Sequence, residues 1–237
     1  MVQQLPAEVA PTILYPDSDG QPMSDNTKQF RWIVVIKENF ELLFAEDADV
    51  FVAGDLLWYP VEGNNKLRQA PDAMVVFGRP KGDRGSYKQW EEGNIAPQVV
   101  FEVLSPGNRL KAMAHKLQFY DRYGVEEYYV YDPDDVELIG WVRREGQLDV
   151  ISEMESWVSP RLGVRFEVAS DRIIIYRLDG ERFYTFVELA QLREQERQRA
   201  ERESQRAERE RQRAEDAIAQ LEALKAQLKA KGIELEE

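Results

Sequence analysis

The chain has 237 residues, enough for one well-buried domain and an appendage but not for two full-sized enzymatic domains. It carries 31 Lys and Arg against 44 Asp and Glu, a formal charge of -13, which repels phosphate and excludes a general electrostatic grip on nucleic acid. With no cysteine and a single histidine, His115, it has no disulfide, thiol nucleophile or multi-histidine zinc site, so a metal would need oxygen or imidazole ligands.

Residues 1–26 are rich in Pro, Asp, Ser and Gly and read as an irregular arm. Its first residues show no basic region followed by an apolar run, and no stretch approaches the roughly 20 apolar residues of a membrane span. A soluble, cytoplasmic protein is expected. Ser24-Asp25-Asn26-Thr27 forms a helix N-cap signal. From Thr27 to Ala45, Phe30, Ile33, Val34, Ile36, Phe40, Leu43 and Phe44 recur at spacings of three and four, which predicts an amphipathic helix.

Three β-rich runs follow, Val50–Tyr59, Ala73–Phe77 and Gln98–Leu104. Between the second and third lies a polar, Gly-rich insertion, residues 78–96, with Arg79, Lys81, Arg84, Lys88 and, near its end, Trp90 as an anchor. This is the most concentrated basic loop of the globular part. It reads either as a phosphate contact or as a solvated loop.

Pro106-Gly107-Asn108 opens a second helix running to about Tyr123, with Gly124 as its C-cap. Its buried stripe reads Leu110, Met113, Leu117 and Tyr120. Glu127–Asp132 is a further strand. Two hairpins are then predicted, Val136–Val142 with Leu148–Ile151 around Glu145-Gly146, and Ile173–Leu178 with Arg182–Val187 around Asp179-Gly180.

From residue 190 to 237 the composition shifts to Glu, Arg, Gln and Ala in readable heptads, and one long charged helix is expected. Ala200, Ala207, Ala214, Leu221 and Leu228 fall seven apart, with Ala217 and Leu224 as companions late in the run, whereas the earlier companions are Glu203 and Glu210. Only the last turns can form a weak coiled-coil seam. This tail holds 11 basic and 12 acidic residues, leaving 20 and 32 for the rest. The excess acid therefore sits in the globular part, and the tail is not a basic DNA-binding arm. Glu-to-Arg pairs three and four apart would hold such a helix, and a frayed tail is the alternative.

Three residues stand out chemically. Glu102 interrupts the apolar run Val99-Val100-Phe101-Glu102-Val103-Leu104, where both strand faces look buried. An ionised carboxylate there is costly unless a cation or donors meet it, so it marks either a metal ligand or a structural ion pair. Asp72 opens the second strand run after Pro71 and alternates onto the face of Met74 and Val76. Lys116, three after Met113 and four before Tyr120, flanks the buried stripe of the second helix, while His115 turns toward solvent. Asp55 is a weaker candidate for the same acidic cluster.

A strand-entry Asp, a mid-strand Glu about thirty residues later and a Lys on the next helix resemble the PD-(D/E)XK nuclease superfamily. More narrowly, Ala70-Pro71-Asp72, residues 100–106 (Val-Phe-Glu-Val-Leu-Ser-Pro), Lys116 with Phe119-Tyr120, and residues 124–133 (Gly-Val-Glu-Glu-Tyr-Tyr-Val-Tyr-Asp-Pro) resemble the Uma-two family of restriction endonucleases, over roughly residues 15 to 190. The superfamily's strand lysine is absent, since Leu104 stands two after Glu102. The resemblance moves that role to Lys116, with Lys111 as the fallback.

The resemblance implies an α/β fold, with a mixed central sheet flanked by helices over residues 27–189, added β-hairpins and the C-terminal helix. It implies Mg²⁺ or Mn²⁺ held by Asp72 and Glu102, with a main-chain carbonyl near Val103 as a further ligand. Lys116 joins them as the third catalytic residue. The implied activity is phosphodiester hydrolysis, with DNA as substrate and a homodimer as the working form. Two other readings remain: a catalytically silent nuclease fold that binds or assembles through its helical tail, and a hydrolase of another phosphodiester.

Overall fold

The structure, a computed structural model, describes residues 13–20, 22–107 and 110–230. Residues 1–12 and 21 of the expected arm, Asn108 of the expected helix start and the last seven residues of the tail lie outside the described residues. The chain divides into two units between Phe183 and Tyr184.

In chain order the first unit contains α1 (Thr27–Leu43), β1 (Val50–Ala53), β2 (Trp58–Tyr59), β3 (Ala73–Phe77), β4 (Tyr87–Lys88), β5 (Val99–Val103), α2 (Leu110–Arg122), β6 (Glu127–Asp132), β7 (Glu137–Arg144), β8 (Gln147–Val150), β9 (Arg165–Val168) and β10 (Ile173–Tyr176). The second contains α3 (Phe186–Ala230). Six strands form the central sheet in the order β1-β3-β5-β6-β7-β8. Only β5 and β6 run parallel, and α2 makes the crossover that a parallel pair requires. The other neighbours are antiparallel.

Each sheet face is buried by a different layer. On one face Ile33, Ile36 and Phe40 of α1 pack with Val99, Phe101, Val103, Tyr129 and Phe166. On the other, Phe119 and Tyr120 of α2 pack with Trp58, Met74, Val100, Tyr128 and Val130. All five residues of β5 are buried, which is why that strand reads as a continuous apolar run. Asn26 caps α1 by accepting from the amides of Lys28 and Gln29.

Four expectations change. The run Val50–Tyr59 is not one strand: Asp55 adopts φ 49° behind Gly54, the chain turns, and Trp58-Tyr59 pairs with β4 in a separate two-stranded ribbon. Arg182–Val187 is not a hairpin strand, because β10 pairs with β9, which the sequence pattern did not reveal. Past the turn at Gly180 only a single bridge, Tyr176 to Arg182, remains before α3 begins. Leu110 is 88% exposed, so the buried stripe of α2 starts a turn later than its apolar spacing suggests. In the basic loop, Arg79 and Arg84 face Glu92, Lys81 meets Glu41 and Lys88 meets Glu91. Those cations are compensated by the protein's own acids.

The arm is anchored where it is described. Tyr15 packs its ring on Tyr59 and Trp90, the Tyr59 hydroxyl donates to the Pro16 carbonyl at 2.7 Å, and Ser86 donates to Asp17 at 3.1 Å. Within the second unit, Thr185 and Glu188 form a reciprocal capping box at the start of α3. Along α3, Glu194–Arg197, Arg199–Glu203, Arg206–Glu210 and Arg211 with Glu208 and Glu215 pair three or four apart. Among the described residues no helix is long and apolar enough to cross a membrane.

Candidate functional site

Asp72, Glu102 and Lys116 meet on the α2 side of the sheet. Glu102 sits on β5 opposite Val130 of β6, two register steps from the Val100–Tyr128 pair and so on the same face. Asp72 immediately precedes β3, the other neighbour of β5. Both are buried, Glu102 at 1% and Asp72 at 9% exposure. Lys116 projects from α2, and its Nζ lies 2.6 Å from Glu102 Oε2. One turn further along α2, the Tyr120 hydroxyl donates to Glu102 Oε1 at 2.6 Å. Each oxygen of Glu102 therefore has its own donor from one face of one helix.

The aromatic layer holds α2 in place for this. Phe119 packs edge-on against Trp58 at 5.2 Å, Trp58 stacks on Tyr120 at 6.3 Å, and Tyr120 tilts against Tyr128 at 4.9 Å. Asp72 is fixed by the backbone, its Oδ2 accepting the Val103 amide at 2.6 Å. A Cβ on Gly54 would come within 3.2 Å of the Asp72 carbonyl, so the β1 exit also presses on this point.

The electrostatics follow from crowding two acids in a dry place. Burial pushes the Asp72 carboxyl well above its usual range, and the neighbouring Glu102 pushes it further, against Lys116 and the Val103 amide. Two neighbouring buried acids that oppose each other's ionisation in this way can share a proton or a cation. Burial alone would lower the Lys116 ammonium, but Glu102 and then Asp72 outweigh it and the group titrates above its ordinary value. Burial, reinforced by Glu102, also raises the Tyr120 phenol well above its ordinary value.

Asp55 is half-buried at the margin of this group, its amide donating to the Pro71 carbonyl at 3.0 Å. Burial and Asp19 of the arm raise its carboxyl, Lys116 lowers it and Glu102 raises it again. Lys111 and His115 are exposed on α2, and Lys116 holds the ion pair to Glu102. Sequence reasoning placed Tyr120 only in the apolar stripe. The signal for its hydroxyl was its position four after Lys116, which puts both side chains on one line of the helix.

Among the described residues no three His, Cys, Asp or Glu side chains group to hold a metal. The candidate ligands are two carboxylates, one of which, Asp72, also accepts the Val103 amide. That set fits Mg²⁺, which takes one or two carboxylates and keeps most of its waters. A cation would also offset the crowding of two neighbouring buried acids that share one ammonium.

The Uma2 family, described as "Putative restriction endonuclease", matches residues 19–206. The chain belongs to the Uma2 family. A solved structure titled as a "putative nuclease belonging to DUF820" from Anabaena variabilis ATCC 29413 is similar over 58% of this chain and 75% of its own, at 14% identity and a TM-score of 0.45. No curated protein matches. Uma2 membership establishes a nuclease-family relationship and spans Asp72, Glu102 and Lys116.

Proposed function

We propose that this Uma2 protein is a Mg²⁺- or Mn²⁺-dependent endonuclease that hydrolyses DNA phosphodiester bonds, with Asp72, Glu102 and Lys116 as its catalytic residues. The observation that carries the reading is two buried acids set side by side, Asp72 on the amide of Val103, the residue after Glu102, and Glu102 on Lys116, served by a single ammonium. Asp72 and Glu102 hold the cation, with the Val103 carbonyl beside them. When bound, the cation supplies Lewis acidity to the scissile phosphate and acidifies water at the site.

The protein's own groups do the rest. Lys116 releases Glu102, offers its ammonium to the non-bridging oxygens as negative charge builds on them, and positions the attacking water. Tyr120 keeps Glu102 in its rotamer while Lys116 moves. The aromatic layer keeps bulk water away from the carboxylates and so strengthens these charge interactions. Substrate contact is local, because the chain is acidic overall and the cations of its basic loop are engaged. Two copies in a homodimer would cut two strands.

The test is cleavage of supercoiled and linear DNA with Mg²⁺, with Mn²⁺ and with a chelator. Wild type should nick or linearise DNA only with metal, and Asp72→Asn, Glu102→Gln and Lys116→Ala should each lower the rate by at least about a hundredfold. Absence of metal-dependent cleavage on both substrates refutes the activity.

A second reading, assembly through the tail, is favoured by Ile218, Leu221 and Leu224, which lie exposed on α3. It requires that truncation after residue 190 abolish function while Asp72→Asn leaves it intact.

A further inference from the structure

Val103 is where β5 leaves the sheet, and its main-chain groups are held from two sides. Its amide donates to Asp72. Its carbonyl accepts from Nε2 of Gln29 at 2.9 Å, in a buried bond between residues 74 positions apart in sequence. Gln29 lies in the first turn of α1 and is 6% exposed. It occupies the start of the buried stripe that continues through Ile33, Ile36 and Phe40, where an apolar side chain would be the cheaper choice. Its Oε1 accepts the Asp25 amide at 2.8 Å, which fixes the amide orientation with Nε2 toward Val103. Asp25 in turn accepts the hydroxyl of Ser105, two residues beyond Val103.

The faces matter. α1 packs on the Val99, Phe101 and Val103 side of the sheet, whereas α2, which carries Lys116 and Tyr120, packs on the opposite side. A carbonyl oxygen has two lone pairs. Gln29 engages one of them from the α1 layer, at the same residue whose amide is bonded to Asp72.

We propose that Gln29 is a positioning residue that holds the Val103 carbonyl as the third protein oxygen for the divalent cation. The inference rests on the metal-site reading above and adds to it a residue from the far side of the sheet, outside the motifs that carry the family resemblance. Partners of this kind, one bond behind a ligand, typically contribute ten- to a hundredfold to metal affinity.

Calorimetric titration of Mn²⁺ into the full chain tests it, with urea unfolding in chelator as the measure of stability. The variants are Gln29→Leu, Gln29→Met, Asp72→Asn and Asn39→Leu. Asn39 is also a buried amide of α1 and donates to the Val35 carbonyl at 2.7 Å, so its replacement reports what losing any buried amide of this helix does. Asp72→Asn should abolish binding. Gln29→Leu and Gln29→Met should weaken it about tenfold, and Asn39→Leu should leave it at the wild-type value whatever it costs in stability. If Gln29→Leu fails to fold, Gln29→Met decides, its flexible side chain filling the same space without a donor. Wild-type Mn²⁺ affinity in the Gln29 variants refutes the positioning role and leaves the site reading standing. A wild-type protein that binds no Mn²⁺, or binds it equally well as Asp72→Asn, refutes both.

Discussion

Replacing Lys116 with Met leaves Glu102 buried at 1% exposure without its 2.6 Å counter-charge, so the loss should appear first as stability. Breaking a buried ion pair from one side costs about 3–5 kcal/mol. Urea unfolding in chelator should therefore show Lys116→Met less stable by about 3–5 kcal/mol at pH 7. Adding Glu102→Gln to Lys116→Met should recover most of the loss, since removing both charges is close to neutral. Saturating Mn²⁺ should recover it too. A Lys116→Met protein as stable as wild type at pH 7 in chelator, or one whose loss Glu102→Gln does not relieve, would refute the account of Lys116 as the balancing charge.

Three further outcomes follow from the same geometry. The Asp72 carboxyl titrates above its ordinary 3.8 when folded, so its contribution is fully present below that value and is lost as pH rises through the folded value. Asp72→Asn should thus become more stable relative to wild type as pH rises from 4 toward neutrality in chelator, and a pH-independent difference would count against the raised value. Gly54→Ala would bring a methyl within 3.2 Å of both the Asp72 carbonyl and Lys37 Cγ. It should weaken Mn²⁺ binding at a stability cost of about 1–2 kcal/mol, and unchanged binding would show that Asp72 tolerates the shift. Gly140→Ala would place its Cβ 2.7 Å from Met154 Sδ and 2.8 Å from Ile151 Cδ1, in the core on the α1 side of the sheet, the face opposite Lys116. Melting temperature should fall by an amount equivalent to about 2–3 kcal/mol while Mn²⁺ affinity stays unchanged.

Much of the first unit was legible in local pattern. The continuous apolar run of β5 identified a strand buried on both faces, and Asn26 and Gly124 marked helix ends through their caps. Failures occurred where pairing at a distance decided the outcome. Nothing local in Trp58-Tyr59 says that it leaves the central sheet for Tyr87-Lys88, or that Ile173–Tyr176 pairs backward with Arg165–Val168 rather than forward. Likewise Leu110 fits an apolar helical spacing, but the aromatic layer under α2 begins only with the turns carrying Phe119 and Tyr120.

For the site, the sequence by itself determined an acid that could not lie bare in β5, and the alternation that set Asp72 on the face of Met74 and Val76. It also set the helical spacing that aimed Lys116 at the two acids. Those are consequences of strand period two and helix period 3.6, which any chain with these residues inherits. The tertiary structure decided what the acids meet: Tyr120 on the second oxygen of Glu102, the Val103 amide on Asp72, and Gln29 from the opposite layer on the Val103 carbonyl. It also turned the basic loop inward to its own carboxylates. Hydrogen bonds and ion pairs between residues far apart in sequence depend on strand order and layer assignment, and those are fixed only when the whole core closes.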